Sequence, residues 1–225
     1  MLASNAVQVP SRTTNRGAPA AQPRIAACIA PPAFAASQPH QVVLYSPNAE
    51  IYGQGERAAA LYQVVFGAVR VYRLLSDGRR QISAFHVAGD VFGFEADGHH
   101  HFFAEAICNS AIRIYRQPIG ADVAREILPV ALTALIRAQE HLLVIGRQNA
   151  AERVAAFLLD LFERQDGLPQ VELVMSRTDI GDYLGLTIET VSRVFSKFRE
   201  KGYIRLQGVR TVNLVKLEAL RALCV

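Results

Sequence analysis

The chain has 225 residues, enough for one or two domains with full apolar cores. It is 51% hydrophobic and 20% charged, an ordinary globular composition, and its longest apolar runs read as too short or too interrupted to span a bilayer. A net charge of +4 is too small to mark a polyanion binder by itself, while three scattered cysteines with no CxxC argue against a zinc knot or a local iron–sulfur ligand set and fit a reducing compartment.

Residues 1–40 hold six of the ten prolines, many alanines and no acid, which reads as a disordered tail. Within it Ile25–Ser37 faintly resembles a signal peptide. Pro31 and Pro32 interrupt its apolar run and it begins late, so export is set aside in favour of the cytoplasm.

From Val42 to about Arg116 the pattern is of short β-rich runs cut by glycine and aspartate. The runs are Val42–Tyr45, Leu61–Phe66, Ala68–Leu75, Arg79–Val87, Phe102–Ile107 and Ala111–Tyr115. Steady spacing of short strands predicts a compact antiparallel barrel or roll over 41–127. The period then changes. Leu128, Leu132, Leu135, Gln139, Leu142, Gly146 and Asn149 alternate four- and three-residue steps, the seam of a coiled coil. A long helix over 128–149, beginning near Pro129, is expected to pair two copies of the chain, with Leu128, Leu132, Leu135, Gln139, Leu142 and Gly146 at the interface. Asn149 is placed to cap a further helix, Ala150–Gln165, with Val154, Phe157, Leu158, Leu161 and Phe162 inward, followed by a loop, Gln165–Pro169.

Ser176–Arg199 reads as two short helices with a tight turn. Ser176 caps the first, with Asp179 in the capping-box position. Gly181 lets the second helix cross closely, Gly185 breaks the first, and Thr187 caps the second. On the second helix Glu189, Ser192, Arg193 and Ser196 share one face, while Ile188, Val191, Val194, Phe195 and Phe198 lie opposite. Arginine can donate twice to guanine, glutamate can accept from cytosine, and serine can do either, so such a front suits base edges in a major groove. Ser176, Arg177, Thr187, Thr190 and Lys197 complete the candidate DNA-contacting set of the helix pair. From Arg193 to Arg210 there are six Lys/Arg against one acid, Glu200, a local excess suited to a phosphate backbone. Tyr203–Leu206 and Thr211–Val215 form a hairpin around Gln207-Gly208-Val209, a wing on which Arg205 and Arg210 can reach phosphates. The fold class is therefore α+β, and residues 150–225 form a winged helix-turn-helix.

Three stretches, Tyr45–Glu56 (YSPNAEIYGQGE), Leu61–Glu95 and SRTDIGDYLGLTIETVSRVFSKF, resemble the Crp/Fnr superfamily of bacterial transcription regulators in order and spacing. DGRRQISAFH, GDVFGFE and TIETVSR are most similar to its FixK branch. The resemblance covers about residue 40 to the end. It implies a cyclic-nucleotide-binding-type β-roll, a dimer helix and a winged helix-turn-helix. The family's E-x-x-S-R signature falls on Glu189, Ser192 and Arg193 and implies a palindrome like TTGAT-N4-ATCAA, read by a homodimer that controls low-oxygen or nitrogen-oxide respiratory genes. It also implies that the Ser76–Arg80 hairpin, through Asp77, Arg79 and Arg80, contacts RNA polymerase.

The same comparison argues against an effector. The ribose- and phosphate-holding turn of cyclic-AMP binders reads Gly89-Asp90-Val91 here, and their Arg-Ser pair reads His100-His101-Phe102-Phe103, with no arginine to neutralise a phosphate. Cys28 stands alone and the roll position of a cluster ligand holds Arg113. His99, His100 and His101 are adjacent, and neighbours on a strand face opposite ways, so a solvated loop is preferred to a metal site. His86 reads as a satisfied core histidine. No cofactor, metal or membrane is expected, and no enzyme. A haem- or metal-containing sensor of the same superfamily is the alternative, and a small metal enzyme built on His86 and His99–His101 ranks last.

Overall fold

The computed structural model describes residues 40–116, 121–146 and 149–224. The expected tail, the signal-like Ile25–Ser37 segment and Cys28 lie outside the described residues. Eight strands come first: β1 (His40–Tyr45), β2 (Glu50–Tyr52), β3 (Ala60–Phe66), β4 (Ala68–Leu74), β5 (Arg80–Val87), β6 (Val91–Phe92), β7 (Phe103–Ala106) and β8 (Ser110–Arg116). They form two antiparallel four-stranded sheets, in the orders β1-β8-β3-β6 and β2-β7-β4-β5. Tyr52, Tyr62, Val64, Val69, Val71, Phe92, Ala104 and Ile112 from both sheets close a shared core.

The remainder is α1 (Ala121–Ile145), α2 (Ala150–Arg164), β9 (Gln170–Glu172), α3 (Arg177–Leu184), α4 (Ile188–Glu200), β10 (Ile204–Gln207), β11 (Thr211–Leu214) and α5 (Leu217–Arg221). The Asn149 side chain caps α2 by accepting from the Ala151 amide at 2.9 Å. Val154, Phe157, Leu158 and Leu161 of α2 are buried as its periodicity requires, with Phe162 packed at the margin. The larger core does not stop at a domain border. Ile82 and Phe85 of β5 belong to the same cluster as α2, α3 and α4, so the roll and the C-terminal domain are packed together.

Several sequence expectations are corrected. The first strand begins at His40, inside the stretch assigned to the tail. The long helix begins at Ala121, and Pro129 lies within it, so the border drawn at 127/128 cuts a continuous helix. Proline costs an interior helix its amide bond to the preceding turn, which is why a start near Pro129 was read; the α1 backbone continues through it. The short strands β2, β6 and β9 and the five-residue α5 went unread, being too short for a period to show. Arg125–Ile145 is, by length and composition, apolar enough to cross a membrane, at 21 residues and mean hydropathy 1.4. The reading that every apolar run falls short is therefore wrong. Mid-helix Arg137 reaches Asp90 of the roll at 2.8 Å, a pairing that ties α1 to its own domain.

Candidate nucleic-acid interface

The helix pair is built as its residues dictate. Ser176 Oγ accepts from the Asp179 amide at 3.0 Å, and the Asp179 carboxylate accepts from the Ser176 amide at 3.1 Å, a complete capping box. Gly185 ends α3 at φ 64°, in the left-handed region, and a Cβ on Gly181 would stand 2.6 Å from the Leu186 carbonyl oxygen. Both positions need glycine, one for its conformation and the other for close approach. Thr187 then caps α4 by accepting from the Thr190 amide.

Val191, Val194, Phe195 and Phe198 bury the back of α4. Glu189, Ser192, Arg193 and Lys197 are exposed on its front, and Ser196 is partly exposed. Thr187 and Thr190 sit at the start of the same front, and Arg193 Nη2 lies 3.4 Å from Thr190 Oγ1. The backbone and the Thr187 hydroxyl hold the Glu189 carboxyl below its usual range, so it is an acceptor at neutral pH. Ile188 departs from expectation: it is 43% exposed, beside the polar front. At 100° per residue it sits at the margin of the apolar arc, where the turn before α4 leaves it uncovered.

The wing also forms. β10 and β11 pair antiparallel, Gly208 turns at φ 78°, and Arg205 and Arg210 are exposed beside it. β9 adds a third strand to β11. Besides Thr187, which caps α4, two further members of the candidate set are occupied within the fold. Ser176 is engaged in its cap. Arg177 lies flat over the Phe195 ring, 3.2 Å from its centroid; burial lowers its pKa to about 10, and its Nη1 has no hydrogen-bond partner.

What sequence reading missed is the bridge that holds this module to the roll. Arg70 of β4, only 7% exposed, donates to Glu105 at 2.6 Å, to Asn48 at 2.9 Å and to Asp179 at 3.3 Å. Arg80 of β5 donates to Asp179 at 2.6 Å and to Asp182 at 2.9 Å, and the Gln81 amide reaches the Asp182 carbonyl at 2.7 Å. Asp179 thus caps α3 and anchors it at once. An arginine within the apolar run Ala68–Val71 was the available signal. The expected polymerase-contacting hairpin is divided by this bridge. Asp77 and Arg79 pair with each other at an exposed tip, but Arg80 points back into the DNA-binding domain. Its place at the start of β5 turns it toward α3.

A second bridge uses the turn that, by resemblance, would hold a cyclic nucleotide. Asp90 accepts from Arg164 of α2 at 2.6 Å and from Arg137 of α1 at 2.8 Å, and these cations keep its carboxyl ionised below the ordinary range against the opposing effect of burial. Arg113 donates to Gln63 at 2.9 Å within the roll. On α1, Leu128, Leu132, Leu135 and Leu142 are 50–68% exposed, Gln139 and Gly146 are also exposed, and Ile136 and Leu143 widen the stripe. Its other face, with Val130, Arg137, His141 and Val144, borders a cleft of about 520 Å³ toward β5, α2 and α3.

Comparison with known proteins agrees with this architecture. The cyclic nucleotide-binding domain family matches residues 42–120, and the Crp-like helix-turn-helix domain family matches 152–223. Fold and interface define a transcription regulator with a helix-turn-helix DNA-binding domain. The nitrogen fixation regulation protein FixK of Rhizobium meliloti is 56% identical over 188 residues, 84% of this chain and 89% of that protein. The Azorhizobium caulinodans FixK is 42% identical over 206 residues, 83% of each. The structure of FixK2 from Bradyrhizobium japonicum superposes with a TM-score of 0.77 at 43% identity, covering 83% of this chain and 98% of that one. The chain belongs to the Crp/Fnr family, as a FixK-type regulator.

Proposed function

We propose that this regulator binds as a homodimer, in the cytoplasm, to an Fnr/FixK-type palindrome resembling TTGAT-N4-ATCAA, and activates genes of low-oxygen or nitrogen-oxide respiration. The observation that carries this reading is the front of α4: Glu189, Ser192 and Arg193 exposed together on a helix whose back is buried through Val191, Val194, Phe195 and Phe198. Glu189 and Arg193 take the G·C pair of each half-site, and Ser192 lies near a thymine. Arg205, Arg210 and Lys197 neutralise phosphates, and Thr187, Thr190 and Ser196 line the edge of the contact. The exposed leucine stripe on α1 pairs the two chains and sets the recognition helices about one turn of duplex, ~34 Å, apart. Asp77 and Arg79 are the residues offered to RNA polymerase.

Gel shifts on matched and mutated half-sites test the assignment. Arg193→Ala is expected to lose about 1–3 kcal/mol of discrimination at the G·C pair, whereas Arg205→Ala weakens all sequences alike. An Arg193→Ala protein with the wild-type sequence preference would remove the assignment.

A further inference from the structure

The loop between β6 and β7 gathers side chains that DNA reading does not use. Glu95, Asp97 and His101 each present a metal-ligating atom, all within 4.8 Å of one another. His101 Nδ1 stands 2.8 Å from Glu95 Oε2, and its Nε2 stands 3.3 Å from Asp97 Oδ2. The loop's own backbone orients both carboxylates: the His101 amide donates to Glu95 Oε1 at 3.1 Å and the His99 amide to Asp97 Oδ1 at 3.2 Å. These three alone are an acidic pair around one exposed imidazole.

A second observation comes from beneath the loop. His100 is 2% exposed and stacks on Tyr52 at 3.6 Å, yet neither of its ring nitrogens makes a hydrogen bond. Its Nδ1 faces the same Glu95 from inside, 3.5 Å from Oε1. Buried polar atoms without partners are rare and costly, and they call for an explanation at the site they face. The expectation of no metal rested on adjacent histidines pointing opposite ways. They do, His100 inward and His101 outward, but Glu95 reaches both.

We propose that Glu95, Asp97 and His101 bind a divalent transition-metal ion of the zinc, cobalt or nickel type, with His100 holding the inner oxygen of Glu95. Metal–ligand bonds of about 2.0–2.2 Å place tetrahedral donor atoms about 3.4 Å apart; one atom from each of Glu95, Asp97 and His101 already lies within 4.8 Å of the other two, and a swing of the exposed Asp97 carboxylate toward His101 Nδ1, the ring nitrogen beside Glu95, closes the set. The imidazole ligand favours such ions over magnesium or calcium, which take oxygen alone. His100, with its unpaired Nδ1 3.5 Å from Glu95 Oε1, is placed to become the outer hydrogen-bond partner that ligating carboxylates require.

The test is titration of the untagged full-length protein with Co²⁺ and Zn²⁺, followed by calorimetry and by the visible absorption of bound cobalt. One ion per chain is expected. His101→Ala, an exposed change, is expected to weaken binding by at least tenfold, and Asp97→Asn to weaken it as well. His100→Phe, which keeps a ring against Tyr52, is expected to cost about tenfold, with thermal unfolding of the metal-free variants showing that each is folded. His99→Ala leaves binding unchanged. Absence of saturable binding, equal affinity in His101→Ala, or a thiolate charge-transfer band assigning the metal to a cysteine would each overturn the site.

Discussion

Asp179 serves two parts of this molecule at once, the start of α3 and the roll. It is 3% exposed, closes the cap of α3 and receives two arginines from the roll. Replacing it with alanine removes the capping-box carboxylate, about 1 kcal/mol, and takes one carboxylate partner from each of Arg70 and Arg80, which keep Glu105 and Asp182. Urea unfolding of Asp179→Ala should therefore show a loss of more than about 1 kcal/mol, while Glu189→Ala, exposed and outside any buried pair, stays close to the parent. Arg79 and Arg80 separate in the same way. Arg79→Ala is expected to lower transcription in vitro with DNA affinity unchanged, because its guanidinium pairs with Asp77 at the exposed hairpin tip, away from α3 and α4. Arg80→Ala loosens α3 and is expected to lower DNA affinity itself; unchanged affinity in Arg80→Ala would show that the bridge does not position the module. Sequence reading found Asp179 as a cap from its spacing to Ser176. Its second role was illegible, because Arg70 and Arg80 lie roughly a hundred residues away and only the fold brings them together.

At the scale of elements, what could be read was what has a period or a cap. α2, α3 and α4 and the wing stand where apolar spacing and the Ser176, Thr187, Asn149 and Gly185 signals put them. Elements of two or three residues have no period, and the start of α1 was hidden by Pro129. The α1 stripe leaves a row of apolar side chains uncovered, Leu142 and Leu143 being 68% and 71% exposed. A charge placed in that stripe would be desolvated on pairing. Leu135→Glu is accordingly expected to sediment as a monomer at concentrations where the parent is a dimer, with far-UV circular dichroism unchanged, since Leu135 is 54% exposed within one chain. A Leu135→Glu protein that remains dimeric would move the interface away from this face.

At the scale of the molecule, the described residues form one packed body, because β5 shares a core with α2, α3 and α4, and because two ionic bridges join the roll to the helices. That packing leaves two histidines in the cleft beside α1. Burial, with Arg164 and Arg137 nearby, lowers His86 from 6.5 to about 4 against the opposing pull of Asp90; burial lowers His141, stacked on Tyr183 at 3.8 Å, from 6.5 to about 4. Between these limits the unfolded chain binds protons that the folded chain refuses, so stability falls as pH drops from 6.5 toward 4 and is fully present above 6.5. Denaturant unfolding at about pH 7 and about pH 5 should show this loss, and His141→Phe, which keeps the stack without the titrating nitrogens, should reduce it.

The most direct test of the functional reading is the stoichiometry and preference of the intact protein on a duplex carrying TTGAT-N4-ATCAA, measured by sedimentation and gel shift against a scrambled duplex of equal length. Two chains per duplex are predicted, with a preference of roughly a thousandfold that collapses when either half-site is altered. One chain per duplex, or equal affinity for the scrambled sequence, would contradict it.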